Sequence, residues 1–229
     1  MYLGILWTFI DPIMFVLVLS FVYYIIFNRV TSENLVYLVI GLVIWRFFSS
    51  SLVQSTNSIN VRMGIIEQVP IKKQLFPLID LITSTITFLL SCILIFIFIF
   101  IFKFPITWHF IEFIPITIIF LIFMYGMGLI LAHFGARIAD FKLGITYINW
   151  LLFFTTPIFY NYNTLSSEIQ TSLLLNPATI FIQSYRDCLM FGVSPDYFYL
   201  IIFGIIGLIL LFIGNNLINN NDKRYVLMK

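Results

Sequence analysis

Charge is scarce in this chain. Twelve Lys and Arg and ten Asp and Glu are all that 229 residues carry, 10% of the sequence, against about 25% in an average soluble domain. With 61% of the residues hydrophobic, so few charges cannot solvate the surface of a globule. A soluble single domain, a disordered chain and a collagen-like repeat are excluded. The net charge of +2 gives no electrostatic footprint for a nucleic-acid partner. Cysteine is limited to Cys92 and Cys188, which excludes a disulfide scaffold, and without a His cluster no metal site is expected. The two histidines, His109 and His133, form no H-E-x-x-H. No Lys is followed by Ser or Thr, so the phosphate-cradling G-x-x-x-x-G-K-[ST] loop is missing, and no Ser sits in G-x-S-x-G. No catalytic residue and no bound cofactor are expected. A basic n-region and a small-residue cleavage site are also missing, so no secretory signal is read at the N-terminus.

What the chain has instead is long apolar runs. Leu81 to Phe102 is 22 uncharged residues between Asp80 and Lys103, long enough at about 1.5 Å per residue to cross a bilayer as a helix. Phe96, Phe98, Phe100 and Phe102 alternate with Ile as a strand would, but the length of the run decides for a helix. Six such spans are expected, at about 5–27, 35–52, 78–102, 114–133, 144–160 and 197–214. The second is the weakest because Arg46 interrupts it. The expected fold is an all-α integral membrane protein forming one domain over 1–229, with no internal repeat and no Gly/Ser linker.

Basic residues set the orientation. With the N-terminus in the cytoplasm, eight of the twelve fall inside: Arg62, Lys72, Lys73, Arg137, Lys142, Lys223, Arg224 and Lys229. Only Arg29, Lys103 and Arg186 fall outside, and Arg46 lies in a span. If the uncharged stretch Ile169 to Tyr185 also crossed, this bias would vanish. Asn176-Pro177 breaks that stretch near its middle, so it is read as two short amphipathic helices on the outer face.

The segment from Val53 to Pro77 is too polar to span and too long for a tight turn. Together with Leu3-Gly4-Ile5-Leu6-Trp7, Asp11-Pro12, Gly41-Leu42-Val43-Ile44-Trp45-Arg46-Phe47-Phe48, Thr156-Pro157-Ile158-Phe159-Tyr160, Asn176-Pro177 and Tyr185-Arg186-Asp187, it resembles the permeases of polysaccharide, O-antigen and teichoic-acid ABC exporters. The motifs follow the family order over nearly the whole chain. The resemblance implies six spans per subunit, a cytoplasmic coupling helix between spans two and three, and short external helices between spans five and six. It further implies a partnership with a second copy and with a cytoplasmic ABC ATPase that uses ATP and Mg. The cargo would be a polyprenyl-diphosphate-linked polysaccharide, carried across a bacterial plasma membrane with both termini cytoplasmic. The family pattern places an amphipathic segment ahead of the Leu-Gly-x-Leu-Trp motif, so the chain is expected to be short at its N-terminus. The Arg-Asp pair expected after span four reads Ala139-Asp140, and the Phe-Pro pair of the loop reads Val69-Pro70. Two further readings are a drug or small-lipid exporter of the same superfamily and a membrane enzyme of cell-envelope synthesis. The enzyme would need clustered Asp, Glu or His at one membrane surface, which the sequence does not offer.

Three groups of residues stand out as sites. The first is the coupling element. Ser55, Thr56, Asn57 and Ser58 are expected to cap a short helix. On it Ile59, Met63 and Ile66 share a face, followed by Glu67, Lys72 and Lys73. The alternative is an interfacial amphipathic helix with basic anchors. The second is Tyr147, Trp150 and Phe154 on one face of span five, either a path for a sugar polymer or a packing and interface belt. The third is an intramembrane charge pair, Asp11 with Arg46, at matched depth; alternatively Arg46 snorkels alone to the headgroups. Small residues at Gly128, Ala132 and Ala136 are expected to let helices pack closely within the subunit. The orientation makes one test decisive: a Lys72→Cys side chain should react with a membrane-impermeant maleimide only from the cytoplasmic side, and labelling from outside would remove the basis for any cytosolic motor gripping this loop.

Overall fold

A computed structural model describes residues 31–66 and 68–225, with isolated positions between 7 and 25. Among the described residues the regular structure is helical and contains no strand. Four helical stretches are long and apolar enough to cross a membrane: Ser32–Asn57, Leu75–Ile101, Trp108–Arg137 and Tyr197–Asn220. They correspond to the second, third, fourth and sixth expected spans. We label the helices α1 (Ser32–Asn57), α2 (Met63–Ile66), α3 (Leu75–Ile101), α4 (Phe113–Arg137), α5 (Phe141–Thr155), α6 (Ser167–Leu173), α7 (Pro177–Arg186), α8 (Tyr197–Asn220) and α9 (Asp222–Tyr225). The first expected span, 5–27, lies outside the described residues apart from isolated positions.

The fifth span needs correction. The helix there is α5, which has 15 residues, about 22 Å at 1.5 Å each. It starts three residues before the expected 144 and stops five short of 160. The cause is Pro157, which has no N–H to donate and pushes Thr156 out of the helical region. The chain continues through bends over 156–160 and a 3-10 turn, Tyr162–Thr164, into α6 and α7. Asn176 then caps α7, its side-chain oxygen accepting the N–H of Ala178 at 3.0 Å, with Pro177 in the first turn where a missing N–H costs nothing.

The most polar of the long helices is also the best buried. The α1 window has a mean hydropathy of 1.8 and is 78% buried, whereas α8 reaches 2.6 and is 22% buried. This is the pattern expected when lipid is the solvent: the greasiest helix can face outward, and the one carrying Ser, Gln and Arg is enclosed by protein.

Contacts divide the chain into two units. One contains Ile86–Ile116, Phe153–Tyr197 and the described residues up to Phe47. Its core is aromatic: Phe88 lies 4.7 Å from Phe47 and 6.1 Å from Tyr185, and Phe113 lies 5.2 Å from Tyr185, ring centre to ring centre. The second contains the described residues of Phe48–Thr85, Thr117–Leu152 and those from Phe198 to Tyr225. Here α4 and α8 cross closely at glycines. A Cβ on Gly126 would sit 2.5 Å from the Gly207 carbonyl oxygen, and one on Gly207 would sit 2.8 Å from the Phe123 Cα. Gly128 likewise faces the Ser55 hydroxyl, and Ala132 is fully buried, so the small-residue stripe does pack inside the subunit. Because backbone meets backbone at this crossing, Gly207→Val should lower the unfolding midpoint in detergent by roughly 5 °C, from about 1–3 kcal/mol of overpacking. Gly144→Ala, which meets nothing within 4 Å, should leave the midpoint unchanged or slightly raised.

Candidate functional site

The segment between α1 and α3 builds differently from its sequence reading. Ser55, Thr56 and Asn57 do not cap the short helix; they form the last turn of α1. The Thr56 hydroxyl donates back to the Leu52 carbonyl at 2.7 Å, a bond that keeps the polar side chain inside helix geometry. The turn after α1 closes through Ser58, whose N–H donates to the Ser55 carbonyl at 3.2 Å. A 3-10 turn, Asn60–Arg62, then leads into α2, and its N-cap position is Ile59, with no side-chain cap. The apolar face is real but points inward: Ile59 and Ile66 are buried, and Met63 packs with them against Phe76, Leu129, Ala132 and Ile218. The exposed apolar side chains of the segment are Val61, Ile65 and Val69, spaced four apart. Between them Gly64 opens onto empty space. Glu67 lies outside the described residues.

Polar contacts fix this segment from both ends. Arg62 grips Asp80 on α3 with two donors, Nη1 to Oδ2 at 3.0 Å and Nη2 to Oδ1 at 2.5 Å, while its Nη1 also donates to the Ser58 carbonyl at 3.0 Å. The fork geometry of Arg suits such a two-point grip. Asn60 Nδ2 donates to the Gly135 carbonyl at 2.7 Å. The two lysines separate sharply. Lys72 is exposed, whereas the Lys73 side chain is 6% exposed and its Nζ lies 3.0 Å from Asp222 Oδ1. Tyr225 on α9 is fully buried and its hydroxyl lies 2.6 Å from His133 Nδ1. Burial pushes the Tyr225 phenol up to about 12, with Arg137 opposing and Asp222 adding, so the phenol keeps its proton.

A second cluster gathers the motifs at Gly41, Thr156-Pro157, Asn176-Pro177 and Arg186. Arg186, at the end of α7, is fully buried. Its Nη1 donates to the Pro157 carbonyl at 2.6 Å, and its Nη2 donates to the carbonyls of Tyr37 and Ile158 at 3.0 and 3.1 Å. The guanidinium carbon stacks 3.3 Å from the centre of the Tyr37 ring. Gly41 makes this possible, since a Cβ there would lie 2.6 Å from Arg186 Nη2. The Tyr37 hydroxyl donates to the Tyr160 carbonyl and accepts the Tyr162 N–H, both at 3.1 Å. Asn176 Nδ2 donates to the Thr156 hydroxyl at 2.8 Å. Burial pushes the neighbouring Asp187 up to about 7, partly offset by Arg186, with Asp196 adding to the rise. On sequence Arg186 reads as a loop charge; in the fold it holds the bend at Pro157 and Ile158 against Tyr37 of α1.

Tyr147, Trp150 and Phe154 are all exposed, at 73%, 59% and 62%, on an α5 that buries no residue. Arg46 is half-buried within α1, and Asp11 lies outside the described residues, so their pairing is not described. Among the described residues no group of three His, Cys, Asp or Glu has the geometry to hold a metal ion.

Residues 1–190 match the family model for the ABC-2 type transporter. The chain belongs to this family. It is 26% identical over 231 residues to the O-antigen export system permease protein RfbA of Myxococcus xanthus, covering 98% of this chain and 87% of that protein. A Klebsiella pneumoniae protein of the same name is 25% identical over 224 residues, covering 97% of this chain and 86% of its own. In this ABC-2 type transporter chain the matched range takes in both clusters as far as Arg186 and Asp80. The α9 residues Asp222 and Tyr225, which meet Lys73 and His133, lie beyond it.

The sequence missed Arg186, Arg62–Asp80 and Lys73–Asp222 as contacts. Only the motif order hinted at the first; Arg62 and Asp80 lie 18 apart with no continuous helix to link them. Arg186→Gln should lower the unfolding midpoint in detergent by roughly 10 °C, because buried carbonyl acceptors left without donors cost about 1–3 kcal/mol each. A midpoint equal to that of the unaltered chain would show that the stacked guanidinium is dispensable.

Proposed function

We propose that this chain is the permease subunit of an ATP-driven exporter that moves a lipid-linked polysaccharide outward across a bacterial plasma membrane. The observation that carries this reading is similarity over nearly the whole chain to proteins named as O-antigen export permeases. The family supplies the transport role. The lack of a phosphate loop supports a reading in which a cytoplasmic ABC ATPase partner hydrolyses ATP with its Mg. The permease works as two copies, with six spans each, both termini cytoplasmic and α6–α7 on the external face. The basic residues at Arg62, Lys72, Lys73, Arg137 and Lys142 support that orientation. The cargo is an O-antigen, capsular or teichoic-acid polymer on a polyprenyl diphosphate. The exposed rings of Tyr147, Trp150 and Phe154 offer faces on which sugar rings can stack without specific hydrogen bonds.

The coupling role falls on the outward face of the α1–α3 segment rather than on its inward one. Ile59, Met63 and Ile66 bind the segment to its own subunit. Val61, Ile65 and Val69, with Gly64 between, remain for the ATPase, and an exposed apolar row of this kind fits a hydrophobic cleft on a partner. The Arg62–Asp80 grip ties that row to α3, so force on the segment is passed to a spanning helix as a rigid body. Co-expression with the ATPase in an export-deficient strain tests both statements. The double variant Val61→Asp, Ile65→Asp should accumulate normally but lose at least about tenfold in ATPase co-purification and in exported polymer. Full retention of the ATPase by that variant would remove the segment from the interface. Accumulation of lipid-linked polymer inside cells that lack this chain identifies the cargo.

A further inference from the structure

Lys73 has no role in the coupling face just described, although the sequence places it there. Its side chain is 6% exposed and ends on Asp222, the first residue of α9. Burying an ammonium is costly unless a partner is in reach, so a buried lysine with one carboxylate at 3.0 Å marks a fixed joint rather than a solvated anchor. Three more contacts lie around it. The next residue, Gln74, donates through Nε2 to Asn219 Oδ1 near the end of α8. Arg137, the last residue of α4, donates through Nη2 to Asn221 Oδ1. The Tyr225 phenol, fully buried, meets His133 one turn earlier on α4. Ile66 of α2 lies in the same apolar cluster as Tyr225 and Ile218. Thus the short run Asn219–Tyr225 touches the coupling segment on one side and the end of α4 on the other.

We propose that this C-terminal turn is the positioning element of the coupling segment. Asp222 holds the segment at Lys73, and Tyr225 locks the turn onto α4 at His133. A push on Val61, Ile65 and Val69 then moves the ends of α4 and α8 together with α3. Lys73, Asp222 and Tyr225 are positioning residues, acting through the segment and touching neither nucleotide nor cargo. The link to ATP-driven motion rests on the permease reading; the mechanical joint does not.

An ion pair with one buried partner has a signature that separates it from general packing. Removing the carboxylate leaves Lys73 as an uncompensated buried charge, while replacing the lysine by an apolar chain of similar length removes the burden altogether. Amide hydrogen exchange over residues 58–74, measured on the full-length chain in nanodiscs, reads the joint directly. Asp222→Asn should speed exchange in that window by about tenfold. Lys73→Met should change it by less than about twofold, and adding Lys73→Met to Asp222→Asn should return it to near the Lys73→Met rate. Exchange in Asp222→Asn equal to the unaltered chain, or an increase that Lys73→Met does not reverse, would overturn the proposal. The same variants, co-expressed with the ATPase, give an independent reading: polymer exported per ATP hydrolysed should fall in Asp222→Asn and recover in the double variant. If the unaltered chain neither binds an ATPase nor exports polymer, the permease reading falls while the exchange result still decides the joint.

Discussion

A polar group enclosed by apolar helices has no water to turn to, and buried Arg186, Lys73 and Tyr225 are each answered by another part of the same chain. This constraint shapes the structure more than any single apolar contact, because lipid solvates Leu and Phe about as well as a neighbouring helix does. Arg186 is its clearest expression. A guanidinium with no exposure is tolerated because Tyr37 offers a ring face and three backbone carbonyls offer acceptors. Two of those carbonyls belong to Pro157 and Ile158, at a place where proline has ended a helix and left carbonyls without intrahelical donors. The break and the arginine are therefore complementary: each supplies what the other lacks.

The same logic organises the second unit. Arg62 with Asp80, Lys73 with Asp222 and His133 with Tyr225 each join elements far apart in sequence. Apolar packing fills the space between them, and glycines at 126 and 207 bring α4 and α8 to backbone contact. Packing of that kind sets distance but not register, since an apolar helix face can slide by a residue at little cost. Ion pairs and hydrogen bonds cannot, and this makes them the means by which a segment on one side can be held to spanning helices without play.

The chain's division of labour follows. The inward face of α2 and the flanking turns, with Ile59 and Ile66, is used up in holding the segment down. The outward face, with Val61 and Ile65, is the part free to meet another protein. Helical spacing shows that two faces exist, but not which one the neighbours will cover, because both are apolar. That is why Ile59, Met63 and Ile66 read as a docking face in the sequence and prove to be core. Ser55 and Thr56 were misread for a related reason: Ser and Thr serve equally as caps and as last-turn residues that bond back to a carbonyl, and only the helix's actual end distinguishes the two.

The sequence by itself determined that the chain is helical and made for lipid, because runs of twenty or more uncharged residues admit no other state. It also determined where α7 begins, because Asn176-Pro177 acts through local backbone geometry that needs no tertiary partner. Pro157 carries the same kind of local signal for the end of α5, masked in the sequence by the apolar run that continues to Tyr160. Only the tertiary structure decided which charges are paired, which face of the α1–α3 segment is covered, and that Arg186 is enclosed rather than solvated. Those outcomes depend on residues as much as 149 positions away, and a contact across that distance leaves no period or spacing in the chain from which it could be read.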